Sequence, residues 1–98
     1  MASIGVLTME LRLEESHSLK EKRHVVKTLI GSLRAKFNVS VAEVDHHDLW
    51  QRAGIGVSAV APDGHQCRRI VQEVERHVDG FPGVETIGVI TSFHAPED

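Results

Sequence analysis

The sequence predicts an α+β domain: four strands in one antiparallel sheet, with two helices on one of its faces. Three observations predict it. Apolar and polar residues alternate from Ile4 to Leu13, the period of a half-buried strand. Two later stretches carry apolar residues at helical spacing, each behind a residue suited to cap a helix. Between them lie two runs rich in valine, isoleucine and alanine, interrupted by a short polar cluster.

In the first strand Leu7, Met9, Leu11 and Leu13 point one way, and Val6, Thr8, Glu10 and Arg12 the other. Glu14-Glu15-Ser16-His17 breaks the alternation. Ser18-Leu19-Lys20-Glu21 then forms a capping box, in which each terminal side chain can accept from an unpaired backbone N–H. Leu19, Val26, Leu29, Ile30, Leu33 and Phe37 follow as one apolar stripe on a helix of about five turns. Lys22 falls inside that apolar arc, where it is expected to pack its stem and snorkel its ammonium to water.

Val39–Val44 and Leu49–Ala61 read as a hairpin across Asp45-His46-His47-Asp48. Pairing Val44 with Leu49 turns Ser40, Ala42, Gln51 and Ala53 inward. It turns Val39, Val41, Glu43, Trp50 and Arg52 outward. Pro62 ends the strand, and Asp63 caps a second helix with Gln66 placed to complete the box. Cys67, Ile70, Val71, Val74, Val78 and Phe81 form its buried stripe, Gly80 fits the C′ position, and Pro82 prevents continuation. Val84–Phe93 is the last strand, and His94–Asp98 a frayed tail. This order is the split βαβ, or ferredoxin-like, βαββαβ unit, with the first and third strands central. It makes a single domain over residues 1–98, with an ordered core from about residue 4 to residue 93.

Composition narrows the function classes. With 41% hydrophobic and 26% charged residues, the chain can build a core and is not a disordered tail. It has no apolar run long enough to span a bilayer and no basic, apolar leader, so a soluble cytoplasmic protein is expected. The single cysteine, Cys67, is not expected to form an internal disulfide or a four-ligand zinc site, and fits a reducing cytosol.

The net charge of −3 conceals an asymmetry. Between Leu19 and Phe37 lie Lys20, Lys22, Arg23, Lys27, Arg34 and Lys36, opposed only by Glu21. An anion at short range meets this local field and not the net charge, because distant charges are screened beyond about 8 Å. On the helical wheel Lys20, Arg23, Lys27 and Arg34 share an arc of about 60°, with His24 at its border. Spread over about 20 Å of helix, they could track successive phosphates of an RNA backbone.

Ser18-Leu19-Lys20-Glu21-Lys22-Arg23, together with the segment from Phe37 through Asp45-His46-His47-Asp48 to Ala53, resembles the bacterial YlxP-like family. The similarity runs from the first strand to the last. Members are single ferredoxin-like domains of unknown function, so the resemblance implies that fold and a bacterial cytoplasm. It also implies a genomic setting beside translation-initiation and ribosome-maturation factors. It brings no catalytic residues.

Asp45-His46-His47-Asp48 holds metal-competent side chains, yet neighbouring strand residues point to opposite faces, so His46 and His47 are not expected to converge. No nucleophile or oxyanion element accompanies the tetrad, and no phosphate cradle such as Gly-x-Gly-x-x-Gly is present. No metal, cofactor or enzymatic activity is therefore expected. On the outward face Trp50 and Arg52, beside Val39 and Val41, form a candidate partner surface, with Gly54 and Gly56 leaving room for another backbone.

The resulting expectation is a non-enzymatic accessory protein of translation or ribosome assembly. It would hold phosphates of ribosomal RNA or ribosomal particles with Lys20, Arg23, Lys27 and Arg34. The alternative is a homodimer or partner-binding module that uses Val39, Val41, Trp50 and Arg52 on the open sheet face and has no RNA role.

Overall fold

The alternation of the first segment decides which side of the sheet is dry. In a computed structural model describing residues 1–95, β1 (Ser3–Arg12) buries Leu7, Met9 and Leu11 completely on one face. Thr8, Glu10 and Arg12 stand on the other. After β1 come α1 (Leu19–Lys36), β2 (Val39–Asp45), β3 (Arg52–Ala61), α2 (Gly64–Asp79) and β4 (Glu85–His94). The sheet order is β2-β3-β1-β4, antiparallel throughout, with β1 and β3 central as the sequence predicts. Leu7 lies opposite Val57, Met9 opposite Ile55 and Leu11 opposite Ala53, so the covered face of the two central strands is wholly apolar.

Both helices press on that face, α1 over β2, and α2 over β1, β3 and β4. Val26, Leu29 and Leu33 of α1 and Cys67, Val71, Val74 and Val78 of α2 complete the core. A fully buried leucine contributes roughly 2 kcal/mol, more than any exposed ion pair of α1 could. Among the described residues, no helix is long and apolar enough to cross a membrane.

The caps form with two changes of detail. Ser18 Oγ accepts from the Glu21 N–H at 3.1 Å, but Glu21 accepts from the His17 N–H, one residue before the cap. Asp63 accepts from the Gln66 N–H at 2.9 Å, and the Gln66 amide turns to donate to Asp63 itself. Gly80 is the C-cap of α2, one position before the C′ place expected of it, at φ −93°; the glycine at positive φ is Gly83, at 86°. β4 runs one residue later than expected at each end. Of the expected tail, His94 belongs to β4 and residues 96–98 lie outside the described residues.

The hairpin departs further. β2 ends at Asp45 and β3 begins at Arg52, so the connection is a six-residue loop, residues 46–51, and not a tight turn. Val39 pairs with Ala59 and Val41 with Val57, which places both valines beneath α1, the reverse of the outward orientation expected. Ser40 and Ala42 face the open side. The reason is burial. Ala53, Ile55, Val57 and Ala59 belong to the dry face that β1 defines, and β2 slides along β3 until Val41 joins them.

Lys22 does not snorkel. Its side chain is completely buried, and its ammonium donates to Glu43 Oε2 at 2.6 Å, to the His46 carbonyl at 2.8 Å and to the His47 carbonyl at 3.3 Å. All three donor positions of the ammonium are used, which is what burial of such a charge requires. One side chain thus ties the first turns of α1 to the end of β2 and the loop after it.

Two outcomes follow for stability. Lys22→Met leaves the Glu43 carboxylate and two loop carbonyls without their shared donor, and should lower the unfolding free energy by about 3–5 kcal/mol in urea titration. Lys22→Met with Glu43→Leu should recover part of that loss. Acceptance of the Gln66 N–H holds the Asp63 carboxyl below its ordinary value of 3.8. Its contribution is therefore complete above that value and fades as pH falls through the lowered one. Asp63→Ala should lower the urea midpoint at neutral pH, and the gap to wild type should close as the medium is acidified below 3.8.

Candidate functional site

The stripe of α1 beside its buried face carries the cations singled out by the sequence. Lys20, Arg23 and Lys27 are exposed and, among the described residues, form no ion pair with a carboxylate. They cover about 10 Å of the helix axis. Arg34 differs: its backbone position lies on the same arc, but Nη2 donates to the Val41 carbonyl at 2.9 Å, so the guanidinium grips the edge strand β2. His24 is exposed beside the stripe. Lys20 and His24 also line a groove of about 510 Å³ together with Leu13, Val25, Glu15 and Glu21.

The tetrad Asp45-His46-His47-Asp48 lies at the end of β2 and in the loop that follows. Asp45 takes the place of the next paired residue after Glu43, leaving Val44 bulged out of the ladder. His46 adopts φ 60°, the left-handed region, and its own N–H donates to Asp45 Oδ1 at 2.8 Å. The turn throws the His46 ring onto the open sheet face, where Nε2 lies 2.7 Å from Glu10 Oε1. Arg52 Nη1 reaches the same oxygen at 3.3 Å. His47 turns back to the Glu43 carbonyl at 3.2 Å. The two imidazoles diverge, and among the described residues no three His, Cys, Asp or Glu side chains group as a metal cage.

Glu10 was not legible as a site residue, because the strand pairing that explains it exists only in the folded sheet. Arg52 lies directly opposite Arg12, a repulsive pairing that a carboxylate relieves on each side, Glu10 on the diagonal from Arg52 and Glu85 directly across from Arg12 on β4. Glu10 serves Arg52, and Glu85 serves Arg12 at 3.4 Å. All four side chains remain between about a third and three-fifths exposed, so these pairs contribute at most about 1 kcal/mol each. They order one end of the open face and do not build a catalytic centre.

The proposed partner residues do not share a surface. Val39 and Val41 pack under α1, Arg52 lies on the open face, and Trp50 sits in the loop, 53% exposed, in a shallow cleft with His17, Leu49 and Gln51. The room left by the glycines is taken up within the chain. A Cβ on Gly54 would stand 2.8 Å from the Asp45 Cβ, and one on Gly56 would stand 3.0 Å from Val44 Cγ1. The bulge of β2 leans over β3 through those gaps. The exposed apolar side chains of the open face are instead Ile4, Val44, Val60 and Ile90.

Comparison with known proteins agrees with this architecture. "De novo designed protein Foldit4" superposes with a TM-score of 0.55 at 14% identity, covering 97% of this chain and 99% of its own, which speaks for the fold alone. The "Uncharacterized protein YlxP" of Bacillus subtilis (strain 168) is 38% identical over 82 residues, 84% of this chain and 89% of its own length. Residues 4–90 match the family described as "Protein of unknown function (DUF503)". The chain therefore belongs to the DUF503 family and is YlxP-like.

Proposed function

We propose that this protein is a non-enzymatic accessory factor of translation or ribosome assembly that contacts RNA phosphates through α1. The observation that carries the reading is the free state of Lys20, Arg23 and Lys27. They are exposed, aligned on one stripe and unpaired with carboxylates among the described residues, while the other cations of the segment are engaged or stand apart. Lys22 is spent inside the fold, and Arg34 is held at β2. Lys36 lies over the Phe37 ring, 5.6 Å from its centroid. Three aligned ammonium and guanidinium groups match the spacing of a polyanion and carry no means of reading bases, so binding would be electrostatic and sequence-tolerant. The ribosomal setting rests on the resemblance to the YlxP-like family.

Three phosphate contacts on single-stranded RNA give a salt dependence, log K against log salt, with a slope near about −2. Neutralising one cation, Lys27→Gln, should make the slope shallower by about one contact. Lys20→Glu with Lys27→Glu should abolish cosedimentation with ribosomal particles while leaving the circular dichroism spectrum unchanged. Arg34 is left intact because its loss would disturb β2. Cosedimentation that survives both reversals, at an unaltered salt slope, would remove the proposal.

A further inference from the structure

The two edges of the sheet are unequal. β2 is guarded: Arg34 occupies the Val41 carbonyl, Asp45 brings charge, and the bulge at Val44 interrupts the ladder. Such devices keep an edge from pairing with another strand. β4 has little comparable protection. From Thr86 to Phe93 it contains no ionisable residue and no proline, its one bulge lies near its start at Ile87, and most of its residues are exposed. Both of its faces show apolar side chains to water, Ile90 at 74% on the open side and Val89 at 41% on the helix side.

We propose that β4 is a dimerisation edge, pairing antiparallel with β4 of a second copy across a two-fold axis at Ile90. A two-fold perpendicular to the sheet keeps both pairs of helices on one side and extends the sheet to eight strands. The register makes the strand its own complement. On the axis the two Ile90 side chains meet, and beside them Val89 lies opposite Thr91 on the helix side. Counting outward past the unpaired Ile87, Glu85 of each copy comes opposite His94 of the other, and both positions are on the open face. The uncharged centre thus meets an uncharged centre, and at both ends a carboxylate meets an imidazole. Any partner strand could satisfy the backbone; a second copy also matches isoleucine with isoleucine on the axis and carboxylate with imidazole at both ends.

Sedimentation velocity of the full chain over a concentration series tests this. Wild type should sediment as a dimer. Ile90→Lys, which sets two ammonium groups against each other on the axis, should yield a monomer with an unchanged circular dichroism spectrum. Val60→Lys, on the open face but away from the edge, should remain dimeric. Ile90→Cys gives an independent readout, because opposed Cα atoms of an antiparallel pair lie within disulfide range and the native Cys67 is buried. Oxidation should link two copies through position 90 and not through a cysteine placed at position 60. A wild type monomeric throughout, a dimer kept by Ile90→Lys, or a dimer lost with Val60→Lys, as face-to-face packing of the sheets would require, overturns the proposal.

Discussion

A single buried ammonium organises the end of this molecule where α1 begins and β2 turns toward β3. Lys22 sits where a helix of this pattern would carry a leucine, and its burial is tolerable only because Glu43 and two loop carbonyls converge on it. Those carbonyls belong to His46 and His47, so the ion pair also sets the path of the loop between β2 and β3. From that path follow the left-handed turn at His46, the contact of its ring with Glu10, and the placement of Arg52 beside the same carboxylate. Gln51 adds a second tie, donating to the carbonyls of Glu14 and Ser16 ahead of α1. The tetrad that looks like a reagent in sequence is largely a structural hinge in space.

The same network divides the basic helix into two populations. Cations that point toward the sheet or its edge are consumed by the fold, Lys22 inside it and Arg34 at the rim. Lys20, Arg23 and Lys27 point away and keep their charge available. The charge excess of the segment is therefore not a single field but a smaller one, concentrated in the N-terminal half of α1. That concentration makes an electrostatic role specific enough to test with two side chains.

The sheet shows a similar division. Its covered face is closed by two helices, while its open face is partly filled from within by β2, whose bulged residues occupy the space above Gly54 and Gly56. One edge carries charge and a bulge at Val44; the other is uncharged from Thr86 to Phe93, with its bulge near its start. A small domain with one face and one edge uncovered has more than one route to a partner, and the asymmetry of its edges leaves β4 the less guarded of the two.

The βαββαβ order implied the central position of β1 and β3, and local pattern alone determined that order, both capping residues and the buried stripes of the helices. Each of these depends on contacts within a few residues or on a periodicity that one segment carries by itself. The alignment of Lys20, Arg23 and Lys27 was equally legible, since the wheel of a helix needs no tertiary information. What only the folded chain decided is the register of β2 on β3, which a one-residue change would invert, and with it the inward turn of Val39 and Val41. It decided as well that Lys22 is interior, because the carboxylate that neutralises it lies 21 residues away and reaches it only once β2 is seated under α1. Glu10, His46 and Arg52 come from three separate stretches of chain, and no spacing in sequence encodes an ion pair that the sheet alone brings within reach.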